Sequence, residues 1–230
     1  MKILAVDTST IVATAAVVSE EKLICETIVN YKKKHSEKLL PAIDHMLADA
    51  GLTIAEMDGF AIVAGPGSFT GLRIGMATVK GFAQALDKPV VPVSTLEALA
   101  YNLPYASGVV CPILDAQRAQ VYTGIYRFDA QGKMTQDLPD SVMEVEELIG
   151  ILENYADDVI YLLGDGVPRF YNTIAEKIPV IKVLPHLSMN RASSAGMLAV
   201  QKALAGETVD YKTVAPVYIR PSYAEERKKS

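Results

Sequence analysis

The sequence predicts an α/β protein made of two similar halves. Three observations carry this. The chain has 230 residues, room for two domains of common size. Short apolar strand-like runs alternate with segments of helical spacing. A pattern in the first half then recurs, in the same order, in the second. The expected boundary divides the chain into residues 1–104 and 105–230.

In the first half, Lys2–Val6, Val12–Val18 and Leu23–Val29 read as three strands. Their short connections argue for antiparallel neighbours. After the basic loop Tyr31-Lys32-Lys33-Lys34, Ser36 is the expected N-cap of a helix. Leu39, Leu40, Ile43, Met46, Leu47 and Ala50 recur at helical spacing, and Gly51 closes the helix. Pro41 requires either that it lie in the first turn or that the helix proper start at Leu40. Phe60–Ala64 is a strand running into Gly65-Pro66-Gly67-Ser68-Phe69-Thr70-Gly71, and a helix follows to about Leu86. Val90–Val93 is another strand, and Ser94-Thr95-Leu96-Glu97 has the form of a capping box. Asn102–Gly108, with Pro104 inside it, is the linker.

The second half repeats the plan. Pro112-Ile113-Leu114-Asp115 before Val121–Tyr126 parallels Ile3-Leu4-Ala5-Val6-Asp7 before Val12–Val18. Ile160 to Gly166 parallels Ala61 to Gly67, each an apolar strand ending in Gly-x-Gly and entering a helix. Ser193–Ala205, closed by Gly206, is a late helix. Three strands, a helix, a strand, a helix and a strand, seen twice, resemble tandem ribonuclease-H-like domains. That is the architecture of the actin/sugar-kinase/Hsp70 ATPase superfamily (ASKHA fold).

Composition bounds the function. Half the residues are hydrophobic and 21% are charged, ordinary for a globular protein. No apolar run nears the roughly 20 residues that span a bilayer, and Asp7 comes too early for a signal peptide, so no membrane role and a cytoplasmic location are expected. A formal charge of −5 suits a phosphate backbone poorly, so any role with nucleic acid is expected to be indirect. Cys25 and Cys111 sit in apolar strand-like runs and read as small hydrophobes rather than metal ligands.

Two motifs carry candidate chemistry. Asp7 closes the first strand. In the superfamily such a turn approaches nucleotide phosphates through backbone N–H groups while the Asp holds a hydrated Mg²⁺. Thr8-Ser9-Thr10 lacks the glycines usual there, and the other reading is an Asp that hydrogen-bonds its own turn. Asp7, Thr8, Ser9, Gly65, Gly67 and Asp115 are thus the candidate vestigial nucleotide-binding residues. The glycine loop Gly65–Gly71 is not a Walker A loop, because Leu72 stands where Lys is required.

The string from Gly65 to Gly75 is nevertheless distinctive. With Asp7-Thr8-Ser9, His35-Ser36-Glu37, Val93 to Leu99, Leu114-Asp115-Ala116 and Tyr218-Ile219-Arg220, it resembles the TsaB (YeaZ) family over essentially the whole chain. That family is related to TsaD/Kae1, long labelled glycoprotease. The TsaD segment similar to Thr95-Leu96-Glu97-Ala98-Leu99 carries a His-x-x-x-His metal site, in which histidines at i and i+4 share one helical face. Here the two places hold Thr95 and Leu99, and leucine cannot ligate. His35, His45 and His186 do not restore the site, and no nucleophile–base pair is evident. The resemblance implies an accessory role without catalysis. TsaD transfers threonylcarbamoyl from its adenylate to N6 of adenosine 37 in tRNAs decoding codons that begin with A. The TsaB-like chain binds and activates TsaD and helps recruit the ATPase TsaE. ATP and a metal ion belong to those partners, with no cofactor on this chain. The alternatives are an ATP-binding protein or small-molecule kinase of the ASKHA fold and, third, a metalloprotease.

The helix from about Thr70 to Leu86 carries only Arg73 and Lys80 as charges. A surface helix shows a polar face, so this one is covered on two sides, either wholly within its domain or by a partner. The resemblance implies that this helix and the Ser36–Ala50 helix pair with the same two helices of TsaD, or form a homodimer without it. The candidate contacts are Leu39, Ile43, Met46, Arg73, Met76, Ala77, Lys80 and Ala83.

Overall fold

The computed structural model describes residues 1–30 and 35–219, with the side chain of His35 excepted. The basic loop 31–34 and the residues from Arg220 onward lie outside the described residues, as do the expectations placed on them. Two compact units are present: Met1–Ala98 with Asn190–Tyr218, and Leu99–Met189.

Strands β1 (Lys2–Asp7), β2 (Ala13–Ser19) and β3 (Leu23–Val29) form an antiparallel meander. After α1 (His35–Asp49), β4 (Gly59–Gly65) inserts parallel to β1, and after α2 (Phe69–Leu86), β5 (Val90–Ser94) adds parallel to β4. The sheet order is β3-β2-β1-β4-β5. The central strands β1 and β4 are buried nearly throughout, as expected of strands covered on both faces.

The second unit repeats this. A short helix α3 (Thr95–Ala100) leads to β6 (Val109–Asp115), β7 (Gln120–Phe128) and β8 (Met134–Glu144), another antiparallel meander. Then come α4 (Val145–Leu152), β9 (Ile160–Leu163) parallel to β6, α5 (Val167–Ala175) and β10 (Ile181–Lys182) parallel to β9. The order β8-β7-β6-β9-β10 matches the first sheet strand for strand. In each unit the Gly-x-Gly turn is also bonded back to the first strand of the sheet or to the turn after it. Ser68 N–H donates to the Ser9 carbonyl at 2.6 Å after β4, and Gly166 N–H donates to the Ile113 carbonyl at 3.0 Å after β9. The duplicated ribonuclease-H-like architecture expected from the repeat is the architecture present.

Three expectations need correction. The boundary near residue 104 is replaced by a division at Ala98–Leu99, inside α3. The C-terminal part is also not wholly in the second unit. The helix α6 (Ala192–Leu204) follows β10 in sequence but packs across β1 and β2. Its small residues permit this: a Cβ at Gly196 would crowd Val18 and Ala5. Third, α1 begins at His35, so Ser36 is helical and not its N-cap, and Pro41 lies well inside. Proline removes one intrahelical bond there. Burial of Leu39, Ile43, Met46 and Leu47 against the first core offsets that loss, which is why packing overrides the local signal. The capping box at Ser94 forms as expected: Ser94 Oγ accepts from Leu96 N–H at 3.1 Å, and Ser94 N–H donates to Glu97 Oε2 at 3.3 Å. None of the described helices is long and apolar enough to cross a membrane.

Candidate functional site

The end of β1 and the loop after β4 meet in the first unit, and their contact is made of backbone. Asp7 is fully buried. Its Oδ1 accepts from Ser9 N–H at 2.8 Å and Ser9 Oγ at 2.6 Å, and its Oδ2 accepts from Asn190 Nδ2 at 2.7 Å. Asn190 Nδ2 also donates to Ser9 Oγ at 2.9 Å, while Thr10 Oγ1 donates to Asn190 Oδ1 at 3.0 Å. Asp7 therefore closes its own turn, the second of the two readings left open by the sequence. Asn190, just before α6, holds the turn from the far end of the chain. Sequence reasoning missed it, because a lone Asn in a loop carries no periodic signal.

The glycines of the loop are used up against that turn. Gly67, at φ 155°, has its Cβ position filled by the Ser9 carbonyl, and a Cβ at Gly71 would overlap the carbonyl oxygen of Thr8. Thr8 Oγ1 donates to the Gly71 carbonyl at 2.7 Å within this contact. Close backbone approach, the property that lets glycine loops cradle phosphate, is here spent on the protein itself. Both oxygens of the carboxylate that would hold a hydrated Mg²⁺ accept hydrogen bonds from protein donors. The residues at this turn do not fit a nucleotide phosphate, and no chemistry is assigned to it.

Asp115, at the matching place in the second unit, is exposed. Arg169 Nη1 donates to both of its oxygens at 3.0 Å, and Gln117 N–H donates to Oδ1 at 2.8 Å. It is a surface ion pair that closes a turn.

In the segment that resembles the metal-binding part of TsaD, the two histidine places are taken by other residues. Thr95 and Leu99 are both fully buried, and a threonine with a leucine offers no imidazole. No cluster of three His, Cys, Asp or Glu suited to a metal exists among the described residues. Burial pushes the Cys111 thiol up to about 12, opposed by its hydrogen bond to Thr123, and burial also raises Cys25, opposed by a backbone hydrogen bond at Val17.

What remains is the surface of α1 and α2. Of the eight candidate contacts, Leu39, Ile43, Met46, Met76 and Ala83 are buried in the first unit's own core, each at most 6% exposed. Their helical period marks the inward face, a point that periodicity alone cannot settle when both faces are apolar. Gly75 on the same helix faces Thr8, inside the unit. Arg73 and Ala77 are exposed and Lys80 is half-buried. A Cβ at Gly81 would meet nothing within 4 Å, so the outer face of α2 is open at its centre. Beside it runs a groove of about 470 Å³ lined by Leu40, Pro41, Asp44, His45, Ile54 and Phe82, among others. Leu40 is 51% exposed there. Leu40 belongs to the same apolar series as Leu39, Ile43, Met46 and Leu47 but stands outside their buried face.

These features can be set beside known proteins. Residues 22–227 match the family model described as TsaD, tRNA N6-adenosine threonylcarbamoyltransferase. The chain is 32% identical to the tRNA threonylcarbamoyladenosine biosynthesis protein TsaB of Bacillus subtilis, covering 98% of this chain and 96% of that protein. It is 30% identical to TsaB of Haemophilus influenzae, covering 96% and 94%. Among solved structures, YeaZ from Pseudomonas aeruginosa superposes with a TM-score of 0.79 at 29% identity, covering 94% of this chain and 99% of that one. Component A of (R)-2-hydroxyglutaryl-CoA dehydratase from Acidaminococcus fermentans shares the fold, with a TM-score of 0.53 at 10% identity over 89% of this chain and 99% of that one. The distinctive glycine string, the duplicated sheets and these relatives agree, and the chain belongs to the TsaB (YeaZ) family, within the broader family of the TsaD model.

Proposed function

We propose that this chain is a non-catalytic accessory subunit in threonylcarbamoyladenosine modification of tRNA, acting on adenosine 37 through TsaD rather than by itself. It binds TsaD through the outer faces of α1 and α2, keeps TsaD competent and helps recruit TsaE. Without TsaD the same face forms a homodimer. Transfer chemistry, ATP and metal belong to the partners, tRNA is met only indirectly, and the setting is the cytoplasm.

The observation that carries this reading is the pairing of an occupied Asp7 turn with an open α1–α2 face. The Asp7 turn is filled by Ser9, Asn190 and the glycine loop. The α1–α2 face has a half-exposed Leu40, an open Gly81 and an apolar groove between the helices. An apolar groove bordered by polar residues is a common form of docking surface. The names of the relatives place them in the same biosynthesis and support the choice of partner.

The test is reconstitution. The purified chain, supplied with threonylcarbamoyl-adenylate and unmodified tRNA, is expected to form no threonylcarbamoyladenosine by mass spectrometry. Adding TsaD should restore modification and exceed TsaD alone. Modification by the chain without TsaD would end the reading.

A further inference from the structure

Arg73 stands on the open face of α2, and the structure fixes its pose from two sides. Its guanidinium lies over the Phe69 ring, with Cζ 3.9 Å from the centroid. Phe69 stacks in turn on Tyr218, with centroids 4.7 Å apart and planes 29° from parallel. Arg73 Nε donates to Tyr218 Oη at 3.2 Å. Tyr218 ends a C-terminal strap bound to the first unit at three places. Val209 exchanges backbone hydrogen bonds with Val90, Val214 is buried in the core, and Val217 N–H donates to the Ala64 carbonyl at 2.8 Å.

An arginine ordinarily loses much rotamer freedom when it meets a partner. Here the stack and the Nε bond have already removed most of it, and a preorganised group binds with a smaller loss. Nε donates to a neutral hydroxyl, and among the described residues no carboxylate pairs with this guanidinium, so its charge is held in place there without an ion pair. The whole of α2 carries no Asp or Glu, and Lys80 follows Arg73 by two helical turns on the same face, with small Ala77 between. This face suits a helix that packs closely at its centre and carries carboxylates about two turns apart.

We infer that Phe69 and Tyr218 are positioning residues that preorganise Arg73 as an electrostatic anchor for a carboxylate on the partner's helix, so that the C-terminal strap sets the strength of partner binding. The inference rests on the reading of the α1–α2 face as the TsaD surface. It adds the chemistry recognised there and a role for the strap.

The experiment titrates the full-length chain with TsaD by calorimetry at low and at high salt, with a thermal melt of each variant to confirm folding. Arg73→Ala is expected to weaken binding about tenfold at low salt and to flatten the salt dependence. Tyr218→Phe keeps the stack and should weaken binding about twofold, while Tyr218→Ala should approach the Arg73→Ala value. The double variant should add nothing to Arg73→Ala, because Tyr218 acts only through Arg73. Unchanged affinity and salt dependence in Arg73→Ala, or additive effects of Arg73→Ala and Tyr218→Ala, would overturn the inference. If Arg73→Ala is neutral while Ala77→Arg abolishes the complex, only the inference fails. If Ala77→Arg is harmless, or the wild-type chain does not bind, the assignment of the face fails and takes the inference with it.

Discussion

Replacing Gly71 by Ala is expected to destabilise the first unit by about 3 kcal/mol, at the upper end of what one added methyl does in a packed site. The new Cβ would overlap the Thr8 carbonyl oxygen, which is backbone and cannot rotate away. Any separation that relieved the overlap would also stretch the 2.7 Å bond from Thr8 Oγ1 to the Gly71 carbonyl. The melting temperature should fall by about 6–12 °C, read by circular dichroism. Gly81→Ala on the same helix is the control. Its Cβ meets nothing within 4 Å, so it should stabilise by about 1 kcal/mol through helix propensity alone. A Gly71→Ala protein as stable as wild type would mean that turn and loop part easily, as a phosphate-binding loop must, and the account of an occupied turn would be wrong.

Asn190→Ala is expected to have an effect of similar size, again about 3 kcal/mol. The change removes the donor to Asp7 Oδ2 and to Ser9 Oγ and the acceptor for Thr10 Oγ1, all buried. A buried carboxylate that loses a donor is left poorly solvated, and the network around it loses its common member. Urea unfolding measures the effect, and calorimetry with Mg-ATP tests the meaning. A variant with unchanged stability and newly gained Mg-ATP binding would show that the turn is a nucleotide site merely covered by Asn190.

The two predictions bracket what could be read in the sequence. The glycine loop, the strand ending at Asp7 and the Ser94 box are local signals, made by residues a few positions apart, and the internal repeat is such a local pattern met twice; each recurs in the structure. What could not be read is the meeting of distant segments. Asn190 reaches Asp7 from the other end of the chain, and α6 joins the first sheet although it follows the second. The partner face shows the same limit. Leu39, Ile43, Met46, Met76 and Ala83 follow a helical period, yet a period gives only the existence of an apolar face, and here that face is the core. Of the open positions, Ala77 is among the contacts the sequence offers, whereas the exposure of Gly81 and Leu40 depends on how the helices pack, which a period does not give. Tyr218 was noticed only as part of the family's ending, whereas its contact with Arg73 depends on how the strap crosses the unit.

The claim that this chain works by holding a partner is tested most directly by size-exclusion chromatography with light scattering, on the chain alone and mixed with its cognate TsaD. The account predicts a homodimer that gives way to a one-to-one complex, with both assemblies lost in Ala77→Arg while the variant stays folded. A chain that elutes as a monomer, unchanged by TsaD, would contradict it.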